Sequence, residues 1–225
     1  MRILCASAVL AAALAVPAPA SAQLLGQTGG VRMASLVGVH VFGLVESESL
    51  AAQRSFDAVL AGSSKSQPML LGAGFQVTRI WHGAFGRFSA SHSSNVGSRV
   101  FVDSSKNVHS LNVPITIAIT PIEIGGGWRF GDGARRVVPY VGAAVLLQRY
   151  TETSETGTTA DNVDERDKGQ SLFGGIDIVV GRVHVGAEGF YRRVPNAIGA
   201  AGASLDFDED SLGGTGFRVL FGVGF

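Results

Sequence analysis

Along most of this chain, apolar residues recur at every second position. Eight segments carry that alternation, many of them Val-, Ile- or Phe-rich and broken by glycine: residues 36–45, 69–80, 82–92, 114–130, 137–150, 170–180, 182–194 and 215–225. A repeat of two is the mark of a β-strand with unlike faces, and the composition suits strands. The connections after the second, fourth and sixth segments are short, lying around Trp81, at 131–136 and at Gly181. Those after the first, third, fifth and seventh are long: 46–68, 93–113, 151–169 and 195–214.

In an up-and-down meander, odd connections emerge at one end and even ones at the other. The sorting by length therefore predicts one end with four long polar loops and one end with tight turns. A soluble sandwich has no reason to sort its loops by parity, whereas transmembrane barrels do so. The expectation is an all-β, eight-stranded, antiparallel up-and-down transmembrane β-barrel over residues 36–225, its strands long enough to cross when tilted. Residues 47–60 (SESLAAQRSFDAVL) predict a short amphipathic helix, with Leu50, Phe56 and Leu60 as apolar contacts, packing across or into the mouth.

The start of the chain has a different character. A positive Met1–Arg2, an uncharged apolar run over 3–16 and a small-residue tail ending Ala20-Ser21-Ala22 fit a cleaved export leader over 1–22. Residues 23–35 then form a lead-in to the barrel. Cys5, the one cysteine of the chain, lies inside the leader, so the exported protein forms no disulfide and no thiolate site. Elsewhere no run of 18 apolar residues exists, so no helix is expected to span a membrane. Lysine plus arginine number 18 and aspartate plus glutamate 18, with no basic block, which argues against nucleic acid as a partner. The 31 glycines disfavour a helical bundle, each costing roughly 1 kcal/mol in a helix interior.

The last strand reads Phe217, Val219, Phe221, Val223 and Phe225 on one parity, with Arg218, Leu220, Gly222 and Gly224 on the other. A row of large apolar groups faces either lipid or a core. A terminal Phe preceded by such a row resembles the signal read by the barrel-assembly machinery of Gram-negative outer membranes. Val138-Pro139-Tyr140-Val141-Gly142-Ala143-Ala144, following Trp128-Arg129-Phe130, resembles a strand opening common in the small outer-membrane β-barrel superfamily of OmpA-like and OmpX-like domains. That resemblance implies a location in the outer membrane, contact with its lipid and lipopolysaccharide, and a monomer.

With Val183, Val185, Ala187 and Tyr191 facing lipid, His184, Glu188 and Arg192 face inward. The same alternation puts His40, Gln76, Thr78, Asp177 and Arg218 inside, and Glu123 with Arg129. Keeping Ile115, Ile117 and Ile119 on lipid then requires a bulge near Thr120–Pro121, where proline is tolerated. An eight-stranded barrel is just wide enough to be filled by its side chains. The expected lumen is therefore an ion-pair network of Glu123, Asp177 and Glu188 with Arg129, Arg192 and Arg218, read either as a structural polar core or as the gate of a narrow pore.

Candidate chemistry is sparse. His92-Ser93-Ser94-Asn95 resembles the H-x-S-N motif of lipid A 3-O-deacylases, with His92 and Ser94 on one strand face as base and nucleophile. It sits mid-chain, and the nearest downstream acid, Asp103, is expected in a loop. Asp206, Asp208 and Asp210 offer oxygen to a cation, but Ser211 stands where an EF-type loop needs Gly, so a solvated acidic loop is expected. His109 and the other histidines lack zinc spacing. The expectation is a non-enzymatic scaffold, without cofactor or metal, displaying loops to the exterior. A narrow ion or solute pore is the alternative, followed by a lipid A-modifying hydrolase or a soluble periplasmic ligand-binding β-protein.

Overall fold

The computed structural model describes residues 38–60, 68–131, 136–154, 162–198 and 202–225. The expected leader over 1–22 with Cys5, the expected lead-in over 23–35 and the first two residues of the expected first strand lie outside the described residues. Eight antiparallel strands close on themselves: β1 (Gly38–Leu50), β2 (Met69–Thr78), β3 (Ala84–Val102), β4 (Val108–Arg129), β5 (Val137–Ser154), β6 (Val163–Val180), β7 (Val183–Arg193) and β8 (Gly214–Gly224). Each strand pairs with its sequence neighbours, and β1 pairs with β8 from His40↔Gly224 to Leu50↔Gly214. Closure removes the free edges that an open sheet must protect. Two short helices lie at the end opposite Gly38 and Phe225, α1 (Gln53–Leu60) and α2 (Gly202–Asp206).

Burial alternates along the barrel-wall part of the strands, though not in the outer reaches of β3, β4 and β6, and the two parities have different chemistry. Outward positions form a belt: Val39 and Val45, Leu71 and Phe75, Ile124 and Trp128, Val137, Val141 and Val145, Leu172, Ile176 and Ile178, Val183 and Val185, Phe217 and Phe221. Phe217 and Phe225, at its two limits on the last strand, are 64% and 66% exposed. Nine residues at about 3.3 Å each, tilted by about 40°, give a belt on the order of 20–25 Å tall. Aromatic rings mark its borders. Trp81, Trp128, Phe130 and Phe225 lie at the tight-turn end, where the two indoles meet edge to face at 6.2 Å, and Tyr191 and Phe217 lie at the other. No helix of the described residues is long and apolar enough to cross a membrane.

The expected sorting of connections by length holds for 51–68 and 194–213 but fails for the third, because the strands run further than their hydrophobic pattern. β3 and β4 take up most of the expected 93–113 loop and leave a turn over 103–107. There the Asp103 carboxylate accepts the backbone N–H groups of Ser105 and Asn107 at 2.8 and 2.9 Å and the Asn107 side-chain amide at 3.0 Å. These bonds, with His109 at 3.1 Å, hold the carboxyl well below the usual carboxylate range. A group so lowered stabilises the turn above its free-chain pKa and loses that effect only as pH falls through the lower folded value. Asp103→Ala is expected to speed amide exchange at Ser105 and Asn107, whereas acidification to pH 4 leaves the wild-type turn protected. At the opposite end, β6 and β7 join through Gly181 and Arg182. Gly181 adopts φ +63°, the left-handed conformation that a two-residue hairpin turn requires.

Two expectations are corrected here. The helix is confined to Gln53–Leu60, because β1 continues through residues 46–50 and pairs with β8 there. No bulge occurs at Thr120–Pro121: the β4–β5 register is unbroken from Ile115↔Ser154 through Pro121↔Gln148 to Arg129↔Tyr140. Ile115, Ile117 and Ile119 therefore face the interior and are at most 4% exposed. The actual irregularity in β3–β4 pairing lies between Ser98 and Val100, above the belt.

Candidate functional site

The interior is built in layers. Beside the tight turns, the Arg129 guanidinium meets the Asp177 carboxylate at 2.5 Å. Close by, the His40 and His184 rings contact edge to face at 5.0 Å, and the Thr78 hydroxyl lies 3.4 Å from His40 Nε2. Above them Phe85, Tyr140, Phe173 and Phe190 fill the bore. Glycine on the neighbouring strand makes room for these rings. Gly142 is paired with Phe173 and Gly216 with Phe190, and a Cβ at either glycine would stand 2.4 Å from the ring. The Gly142 of the PYVGA segment thus has a packing reason.

Over the rings sits the charged layer. Arg87 donates to Glu188 through two nitrogens, at 2.5 and 3.2 Å. Arg218 donates to Glu188 through Nε and to Glu123 through Nη1 at 2.6 Å. Arg192 reaches Glu123 at 3.1 Å, Glu48 at 2.8 Å and Glu46 at 3.0 Å. Ser91 donates to Glu46 at 2.5 Å and Ser89 to Glu123 at 3.3 Å. Arg192 and Arg218 are each 1% exposed. Their undersides rest on aromatic faces: Arg87 lies 3.7 Å from the Phe173 centroid and Arg192 4.4 Å from that of Phe190. Four carboxylates thus share three guanidiniums in a space closed to water, where hydrogen-bonded pairing is what makes burial of charge tolerable.

Above this layer the interior turns apolar. Leu50, Phe56, Leu60, Leu70, Ile115, Ile117, Ile119, Leu146, Tyr150, Val194 and Leu212 form one buried cluster. Helix α1 lowers Phe56 and Leu60 into it, with Phe56 edge to face on Tyr150 at 6.2 Å. The helix is held by Glu209 from the last connection. Its carboxylate accepts the backbone N–H groups of Arg54 and Ser55 at 3.2 and 2.9 Å and the Ser55 hydroxyl at 2.6 Å. A carboxylate there satisfies first-turn donors and meets the positive end of the helix. Glu209→Ala is expected to cost about 1 kcal/mol, on the scale of a lost N-cap, and to raise exchange at Arg54 and Ser55 without disturbing the strands.

Of the six residues expected in the lumen network, Glu123, Glu188, Arg192 and Arg218 come together, while Arg129 and Asp177 form a separate pair near the tight turns. Gln76, Thr78, His40 and His184 line the interior. Sequence reasoning missed Glu46, Glu48 and Arg87. The signal was present: His40, Phe42, Leu44, Glu46, Glu48 and Leu50 share one parity, as do Phe85, Arg87, Ser89 and Ser91. Phe217, Val219, Phe221 and Val223 lie on the outward parity of β8, and Phe225 follows directly after it, exposed.

His92 and Ser94 also face outward, on β3, and the partner of His92 is Thr120, with Nδ1 2.8 Å from its hydroxyl. Ser93 points inward and accepts from Asn95 at 2.8 Å. Asp103, engaged at the hairpin tip, does not reach His92, so no base–nucleophile–acid arrangement forms there. Among the described residues, no three His, Cys, Asp or Glu side chains converge as a metal set. Asp206 and Asp210 enter the described contacts through backbone carbonyls, which accept from Lys106 and from the Ala197 N–H.

No protein-family model matches the chain. No curated protein matches it either. Among solved structures, it is similar to Ail, the attachment invasion locus protein of Yersinia pestis, in complex with the heparin analogue sucrose octasulfate. The TM-score is 0.47 at 11% identity, covering 84% of this chain and 98% of that one. It is also similar to the N-terminal β-barrel domain of Pseudomonas aeruginosa OprF, with a TM-score of 0.44 at 12% identity, covering 82% and 96%.

Proposed function

We propose that this chain is an outer-membrane barrel whose lumen is filled, and that it serves as a monomeric scaffold presenting its longer connections to the exterior. The observation that carries the reading is the inversion of the ordinary soluble plan. Charged side chains are sealed inside the cylinder, while Val, Leu, Ile and Phe stand outside in a continuous belt. An exposed apolar surface of that extent demands a covering, and hydrocarbon covers a closed barrel on all sides. The aromatic borders and belt height suit a bilayer. In this reading the leader over 1–22 directs export, and the Phe217–Phe225 row is the signal read by the barrel-assembly machinery.

The filled interior favours a scaffold over a pore: the ion pairs close the middle of the bore and the α1 cluster closes its upper part. Among the described residues, a lumen filled by ion pairs, rings and the α1 cluster favours a scaffold over a soluble ligand binder, and the surroundings of His92 do not favour a hydrolase. Membrane fractionation followed by gel migration, unboiled against boiled, tests the first part, with the expected result a heat-modifiable band in the outer-membrane fraction. Planar-bilayer recording tests the second. Silence is expected, and steady unitary conductance from the wild-type chain would replace the scaffold with a pore.

A further inference from the structure

Just above the apolar belt, the outward face is not uniform around the barrel. On β1 the first outward residues past the belt are Ser47 and Ser49, on β3 His92 and Ser94, on β4 Thr120 and Ala118, and on β8 Thr215. None of these is lysine or arginine. On three adjacent strands the sequence is different. β5 passes from Leu147 to Arg149, β6 from Leu172 through Gln170 to Lys168 and Arg166, and β7 from Tyr191 to Arg193.

Register brings these cations together. Arg149 stands directly opposite Arg166, Lys168 opposite Leu147, and Arg193 opposite Gln170. All four are solvent-exposed. Like charges placed opposite one another across a strand pair repel and are destabilising unless an anion joins them. Asp164 supplies one carboxylate, bonded to Arg149 through two nitrogens at 2.8 Å each. Arg166, two residues along the same strand face, shares the field of that carboxylate, while Lys168 and Arg193 form no ion pair among the described residues. Glu152, Glu165 and Asp167 lie on the opposite parity, toward the mouth. Among the described outward residues, four cations against one carboxylate leave an excess of three positive charges, directly over the exposed Val145, Leu147, Leu172 and Tyr191.

Resting on the membrane reading above, we propose that the β5–β7 sector is a docking site for a phosphorylated, multiply acylated glycolipid of the outer leaflet. Its phosphate groups lie on Arg149, Arg166, Lys168 and Arg193, and its acyl chains run down Val145, Leu147, Leu172 and Tyr191. The height of the cluster favours a lipid over a soluble anion: the guanidiniums begin one residue pair beyond the last apolar position, where headgroup phosphates meet hydrocarbon. Arginine suits the task because its planar fork takes two phosphate oxygens at once.

The test uses the full chain folded in detergent micelles, with hexa-acyl lipid A as probe and native mass spectrometry as readout. The wild type is expected to retain bisphosphorylated lipid A at least tenfold better than the same lipid with both phosphates removed. Arg166→Gln/Lys168→Gln/Arg193→Gln is expected to lose that preference, while Arg182→Gln, at the opposite end, keeps it. Inorganic pyrophosphate at the same concentration is expected not to displace the lipid. Equal retention by the triple variant, equal retention of both lipids by the wild type, or displacement by pyrophosphate would each overturn the proposal. The wild-type comparison of the two lipids decides the matter even where the triple variant fails to fold. A wild type that is not heat-modifiable and does not insert into liposomes sinks the membrane reading and this proposal together. One that inserts without discriminating between the lipids sinks this proposal alone.

Discussion

Replacing Arg192 with methionine is expected to destabilise the barrel by about 3–5 kcal/mol, the range for breaking a buried ion pair from one side. Arg192 is the hub of the charged layer, donating to Glu46, Glu48 and Glu123 at 2.8 to 3.2 Å. Without it, four carboxylates face two guanidiniums, and Glu48 keeps no cation. Methionine preserves much of the volume, so the loss reports charge rather than a cavity. Arg192→Lys is expected to recover part of the loss, because one ammonium cannot fork toward three acceptors. Adding Glu48→Gln to the methionine variant is expected to restore stability in the same direction, since it removes a stranded charge. Urea unfolding from liposomes, followed by tryptophan fluorescence, reads the series. A methionine variant as stable as the wild type would show that the layer fills space without contributing energy.

The second large effect lies on the outside. Val141 is at the middle of the belt on β5, 51% exposed, opposite Trp128 and Gly174. Val141→Arg is expected to cost about 2–4 kcal/mol in a bilayer, the penalty for a cation at the midplane of a barrel wall. On a water-facing wall the same change falls within about 0.5 kcal/mol. The liposome titration therefore separates a lipid-covered wall from a hydrated one. Arg182→Gln, in the exposed turn between β6 and β7, serves as the surface control.

The eight strands were legible because each carries a row of apolar residues facing a single environment. The inward set from His40 to Arg218 followed from the same alternation, since a period of two fixes every side chain once one is fixed. What was illegible is where each strand stops. Residues 93–102 of β3 and 163–169 of β6 are rich in Ser, Asn, Arg, Asp and Lys, a composition that reads as loop. Pairing across the ribbon holds them extended all the same. That error moved Glu46 and Glu48 into a loop and out of the lumen. The isoleucines of β4 misled for a different reason. Assigning apolar residues to lipid by type demands a bulge that β4 does not have. The upper lumen is itself apolar because α1 descends into it, and a non-local contact of that kind leaves no mark in a strand pattern. Arg87 shares the parity of Phe85 and Ser89, so it was readable from β3 alone.

The grip of Glu209 on α1 has a consequence for the order of events during folding. The helix lies between the first two strands, yet the carboxylate that secures its leading turn arrives from the connection just before the eighth, 154 positions later for Ser55. Contacts so remote in sequence carry a large loop-closure cost, so this one is expected to form after the nearer hairpins. The stopper is therefore locked only as the seam between the first and final strands is sewn shut.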